Sequence, residues 1–312
     1  MSDEVKLVLL GTGAAIPSKE RTTSALALIR EGEIILCDCG EATQLKITQA
    51  GLAPSKIHTI CISHLHGDHF FGLPGFLTTQ QMLGRTAPLT LYGPPGLRRF
   101  MHCLARITRT QIDFPFNIVE LDAAGSTRFR SGAFDVQAAP LDHNIPCLGF
   151  RFQEGTKPGR FNVERAEALG LESGPLRRQL VEGRPVRIGG RTIQPGQVLG
   201  APQPGRCIAY CTDTRPCEAG IELARGADLL IHDSTFPSSE ADLASRTGHS
   251  TAAQAAGTAV QANAGALVLW HLSSRIARQG EKELLEEARE IFSNSELARD
   301  LLQIQLPRRS AP

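Results

Sequence analysis

Four side chains able to bind a metal ion fall within six residues in the stretch His64-Leu-His66-Gly-Asp68-His69. Residues 57–63, just before it, form an apolar run that reads as a strand, so the four groups sit on a loop at that strand's end. A lone histidine is usually a core or surface residue. Four donors packed this closely behind a strand point instead to metal binding. Imidazole and carboxylate suit zinc, and so many ligands crowd a single tetrahedral ion once more distant ones join. Two adjacent zinc ions are the simplest reading. Other strands must then end at the same edge and deliver the remaining donors.

Three residues qualify. His143 follows the extended run 134–139, Asp213 follows the apolar run 207–212, and His271 closes the run 266–270. A carboxylate such as Asp213 has two oxygens and can bridge two cations. His249 precedes a helical pattern over 251–263, with Ser250 or Thr251 as the N-cap, which places it on a loop. His58, His102 and His232 have no place in this arrangement and are assigned to structure.

Further strands are predicted over 5–10, 25–29, 34–39, 89–92, 117–121 and 229–233, and helices over 42–50, 97–107, 218–224 and 281–292. The fold is therefore read as α/β (α+β). Residues 152–205 differ, with ten Gly and six Pro and little periodicity. Such long stretches within a domain are usually functional or mobile. We read one domain over 1–312 carrying this stretch as a projecting insertion, with one short helix near 163–169. Metal-type residues on both sides of it argue against a linker between independent domains.

The net charge of +1 argues against a generic polyanion binder, yet residues 151–206 carry ten Lys/Arg against five Glu, and 85–110 carry five Arg and no acid. Two basic patches suggest an anionic partner met at chosen places. The chain has no run of the ~18–20 apolar residues needed to span a membrane. Its start, Met-Ser-Asp-Glu-Val-Lys, is charged, so a signal peptide is not expected and a cytoplasmic location is. Of eight cysteines none forms Cys-x-x-Cys, and Cys37, Cys39, Cys61, Cys207 and Cys211 lie in or beside apolar runs, as buried thiols do.

The chain resembles the ribonuclease Z family, the short form of the tRNA 3′-processing endonucleases, within the metallo-β-lactamase superfamily. The resemblance runs over nearly the whole chain. It is carried by Gly11-Thr-Gly13-x3-Pro17-x3-Arg21-x2-Ser24, by Asp38-Cys-Gly-Glu-Ala-Thr-Gln44, by Ser63-His-Leu-His-Gly-Asp-His69, by Lys157-Pro-Gly159-Arg-Phe161, by Asp213-Thr-Arg-Pro216, by Gly248-His-Ser-Thr251 and by His271-x-Ser273-Ser-Arg275. The chain departs from the family pattern at Ala42 and Thr212, where Gly is usual, at Asp233, more often Glu, and at Ile276, often aromatic.

The resemblance implies a four-layer αβ/βα sandwich with a flexible protruding arm. It pairs His64, His66, His143 and Asp213 on one zinc, and Asp68, His69, Asp213 and His271 on the other. Such a pair acidifies a shared water and clamps an in-line displacement at phosphorus. Asp68 would orient the attacking oxygen and accept its proton, His249 would protonate the leaving 3′ oxygen, and Asp38 would fix a ligand histidine. The implied substrate is precursor tRNA, cut to leave a 3′-OH on the tRNA and a 5′-phosphate on the trailer. Lys157, Gly159 and Arg160, with Arg177 and Arg178, would hold the folded RNA by its backbone, while Ser273 and Arg275 would contact a phosphate near the cut. A homodimer with each arm serving the partner's site is also implied.

Overall fold

The computed structural model describes residues 4–276 and 278–308; Met1–Asp3, part of the charged start, lie outside them. The chain divides into two compact units, one of residues 1–153 with 207–306 and one of 154–206 with 307–312.

The first unit is built on two seven-stranded sheets. One runs in the order Gln303–Leu306, Val5–Gly11, Ala25–Arg30, Glu33–Cys37, Ile57–Cys61, Leu89–Gly93, Phe116–Glu120. The other runs Ser295–Leu297, Leu267–Trp270, Leu229–Asp233, Cys207–Cys211, Cys147–Glu154, Phe134–Leu141, Thr127–Ser131. Strands covered on both faces read as unbroken apolar runs. Along Val5–Gly11 the side chains alternate accordingly: Leu7 and Leu9 point to the core between the sheets, where they join Phe150, Phe152, Tyr210 and Trp270. Val8 and Leu10 point to the opposite face, against Phe76 and Leu77 of the helix Leu73–Met82 and Leu97 of the helix Leu97–Thr108. The second sheet buries Ala209, Leu230 and Leu269 against the helices Glu218–Ala224, Ala252–Gln261 and Arg278–Ile291. The layers are helix, sheet, sheet, helix.

Neighbouring strands from Glu33–Cys37 to Phe116–Glu120 are parallel, as are those from Cys207–Cys211 to Ser295–Leu297. Their carboxyl ends are where a parallel sheet opens a crevice for ligands.

The second unit holds more structure than one short helix. Val163–Ala168 and Pro175–Val181 are helical, and Val186–Ile188 pairs with Arg191–Ile193 as a hairpin. Ala166, Leu171, Leu180, Val186, Ile193 and Val198 form a small core of its own. Antiparallel bridges Lys157↔Gln203 and Phe161↔Leu199 join its two ends. Gly159 is needed there, because a Cβ would sit 1.9 Å from the carbonyl oxygen of Gly200.

The described cysteines are all free; Cys37, Cys39, Cys61, Cys207 and Cys211 are buried, as predicted.

Candidate metal centre

Every donor singled out in the sequence stands just past a strand's carboxyl end. Asp38 follows Glu33–Cys37, His64 and its neighbours follow Ile57–Cys61, and His143 follows Phe134–Leu141. Asp213 follows Cys207–Cys211, and His271 follows Leu267–Trp270. Asp38, Asp213 and His271 have φ of 57°, 39° and 61°, a left-handed backbone that non-glycine residues adopt at a cost and that clusters at functional sites.

The donors meet in two groups. In the first, His66 Nδ1 lies 3.1 Å from His64 Nε2 and 3.2 Å from His143 Nε2, and Asp213 Oδ2 lies 3.6 Å from His64 Nε2. In the second, His69 Nε2 and His271 Nε2 are 3.2 Å apart, and Asp68 Oδ2 is 3.3 Å from His271 Nε2 and 3.5 Å from His69 Nε2. Asp213 Oδ1 faces this second group, 3.2 Å from His69 Nε2 and 3.4 Å from His271 Nε2. One carboxylate thus gives an oxygen to each cluster.

Hydrogen bonds behind the ligands decide which ring nitrogens are bare. A carboxylate or carbonyl only accepts. His69 Nδ1 therefore donates to Asp38 Oδ2 at 2.8 Å, and His143 Nδ1 to the Gly248 carbonyl at 2.8 Å. Ser63 Oγ spends its proton on Asp38 Oδ2 and so accepts from His64 Nδ1 at 3.0 Å. Thr235 Oγ1 likewise donates to Asp233 Oδ1 and accepts from His271 Nδ1 at 3.0 Å. Four rings are left with bare Nε2 atoms aimed at other donors. Lone pairs so close repel unless a cation lies among them. Ligands bound at about 2.0–2.1 Å on a tetrahedron stand about 3.3 Å apart, which matches these separations. The donor set fits two first-row divalent ions sharing Asp213.

The buried charges agree. Burial opposes an imidazolium at His69, yet Asp213 and Asp38 outweigh it and hold its pKa well above the ordinary value. Burial also opposes ionisation of Asp68, but His271 and His69, whose Nε2 atoms would have to carry protons wherever no cation takes their place, bring its pKa well below the carboxylate range. The carboxylates demand positive partners.

His249 stands outside these two clusters, although it also comes within ligand reach of Asp213 and His271 as a third possible group. Its Nδ1 donates to Asp233 Oδ2 at 2.8 Å, and its ring stacks on His271 with centroids 5.2 Å apart. Burial lowers its pKa, but Asp233 more than compensates and raises it to about 9. His66, Asp68, Asp213, His249 and His271 line one cleft with Ser273 and Arg275. Lys157, Gly159 and Arg160 belong to the second unit.

Asp38 holds His69 as expected, but the other residues behind the ligands went unread in the sequence. Asp233, noted only as a departure from the family, is fully buried and accepts from His249, Thr214 N, Thr235 N and Thr235 Oγ1. Tyr210 Oη donates to Asp38 Oδ2 at 2.8 Å, and Thr212 Oγ1 to Asp213 Oδ1 at 2.7 Å. Asp233 and Thr212 are polar and close apolar strands, which is the one signal that could have marked them; Tyr210 lies inside its strand and carries none. His58 pairs with Glu33, His232 is buried with Nδ1 on the Asp233 carbonyl, and His102 is exposed, away from both clusters. Arg177 differs from expectation. It spends its guanidinium on the Leu171 carbonyl and the Phe161 ring within its own unit.

Fold and site together define a metallo-β-lactamase-fold protein. Residues 5–155 match the family model "Anti-Pycsar protein Apyc1", and residues 179–272 match "Beta-lactamase superfamily domain". Curated relatives include ribonuclease Z of Salinibacter ruber, 45% identical over 99% of this chain and 97% of the relative, and ribonuclease Z of Bacillus cereus, 44% identical over 95% and 98%. Among solved structures, the short form of human tRNase Z superposes with a TM-score of 0.70 at 30% identity, over 97% of this chain and 99% of that one. The chain belongs to the ribonuclease Z family.

Proposed function

We infer that this chain is an endoribonuclease that removes the 3′ trailer from precursor tRNA, leaving a 3′-OH on the tRNA and a 5′-phosphate on the trailer. Two Zn2+ ions are the proposed cofactors, one held by His64, His66, His143 and Asp213, the other by Asp68, His69, Asp213 and His271. The observation that carries the reading is Asp213, whose two oxygens face two sets of bare imidazole nitrogens. When bound, such a pair supplies Lewis-acid clamping of the phosphate and a nucleophile near neutral pH.

The chain's own residues do the rest. Asp68 is partly exposed to the cleft, with Oδ2 fixed by the Ala15 N–H at 2.8 Å, so it can orient a water and take its proton. His249 keeps Nδ1 on Asp233 and has Nε2 left to protonate the leaving ribose oxygen. Arg275 and Ser273 hold a phosphate in the cleft. Lys157, Gly159 and Arg160, in a compact basic unit, hold the RNA through its backbone. By family likeness we extend the proposal to one domain over 1–312 with residues 152–205 as its arm, and to a homodimer in which each arm serves the partner's site. Free buried thiols fit a cytoplasmic location; no helix among the described residues is long and apolar enough to cross a membrane.

The test is end-mapping of a 3′-extended tRNA incubated with the zinc-loaded protein. One cut at the trailer junction with the stated ends is expected. Hydrolysis of a simple phosphodiester with the precursor left whole would overturn the assignment.

A further inference from the structure

One residue of the cleft has no part in the chemistry above. The chain has thirteen Phe, two Tyr and one Trp, and among them Phe71 alone is exposed, at 55%. It lines the metal cleft together with Ile16, which is 65% exposed. Leaving a large apolar side chain in water forgoes roughly 1.5–3 kcal/mol of burial; of the eleven large apolar side chains so exposed among the described residues, these two border the metal cleft.

Both are held. Phe71 ends the helical turn Gly67–Phe70, which carries Asp68 and His69, and its N–H bonds the Gly67 carbonyl at 2.9 Å. Its ring lies against Gly67, where a Cβ would stand 2.4 Å from a ring carbon, so only glycine in the His-Gly-Asp-His run leaves room for it. Phe70 braces it at a centroid distance of 5.1 Å. Ile16 follows Ala15, the residue whose N–H holds Asp68 Oδ2. Arg275 supplies a cation in the same cleft.

We propose that Phe71, with Ile16 beside it, is a stacking shelf for the nucleobase next to the scissile phosphate, an inference that rests on the RNA-processing reading above. Single-stranded bases bind proteins by stacking on aromatic faces while cations take the phosphates, and each stack is worth a measurable factor in affinity. A shelf anchored to the neighbours of Asp68 fixes the base, and through it the phosphate, relative to the attacking group.

The experiment is steady-state cleavage of precursor tRNA by the zinc-loaded wild type and by Phe71→Ala, Phe71→Leu and Phe71→Trp, each confirmed by metal analysis to keep its full zinc. Each is run on normal RNA and on RNAs with one abasic nucleotide on either side of the cut. Phe71→Ala should raise KM about tenfold or more, Phe71→Trp should restore it, and Phe71→Leu should not. One abasic RNA should cost the wild type a similar factor and cost Phe71→Ala nothing further. Unchanged KM in Phe71→Ala, rescue by Leu, or abasic losses that simply add to the mutation would overturn the shelf and leave the RNA-processing assignment standing. A wild type that never cuts the precursor would sink the assignment itself, and the shelf with it.

Discussion

Ala42 has φ 65° in an exposed turn ahead of the helix Thr43–Gln49, at a position where the resemblance set out above expects glycine. A Cβ in the left-handed region is strained by roughly 1–2 kcal/mol, so Ala42→Gly should stabilise the protein by about 1 kcal/mol in urea unfolding. A midpoint that stays put or falls would refute this. Asp38 is a second point at this scale. It receives Ser63 N, Ser63 Oγ, Tyr210 Oη and His69 Nδ1, and an asparagine could not accept them all. Asp38→Asn should weaken zinc binding or cleavage about 10–100-fold, read by competition with a chelating dye. His249→Ala should keep both ions and lose about 10²–10⁴ in kcat; loss of zinc would make it a ligand instead of an acid.

At the scale of elements, the strands announced themselves because both faces of each sheet are covered, so residues 7–10, 207–211 and 229–231 are unbroken apolar runs. The helix Ala252–Gln261 was legible from Thr251, whose capping box with Gln254 the structure contains. Four of the seven donors were adjacent in sequence, and the other three each close a strand. Less was legible where the signal is long-range. Strand Cys147–Glu154 hides its alternation of Leu148, Phe150 and Phe152 beside a Gly-rich stretch, so the insertion was read as starting at 152. The folded interior of 154–206 was missed because six small apolar groups, scattered among ten glycines, make its core. Of the arginines in 85–110, Arg85 and Arg98 turn out to bind backbone carbonyls of Ile57 and Ile118, which composition cannot reveal. If the unit 154–206 grips RNA, Leu180→Ala, which empties part of its core, should cost about 2–5 kcal/mol locally. It should then raise KM for precursor tRNA more than for a small phosphodiester, whereas equal effects would deny the unit that role.

Taken whole, the molecule converges its buried charge on one edge. Asp38, Asp213 and Asp233 are essentially inaccessible, and Asp68 is partly buried. Stripping the ions leaves these carboxylates without their cations, so chelation should lower the unfolding temperature, by the equivalent of about 4 kcal/mol where free zinc had stood at 1,000 times its Kd. An unchanged melting curve would mean that the ions are not part of the folded state. The central claim, that Asp213 joins two ions in one centre, is met most directly by anomalous diffraction at the zinc edge from crystals of the loaded protein. Two peaks about 3.5–4 Å apart, with the Asp213 carboxylate between them, is the predicted result. A single peak, or two with Asp213 bound to only one, would contradict it.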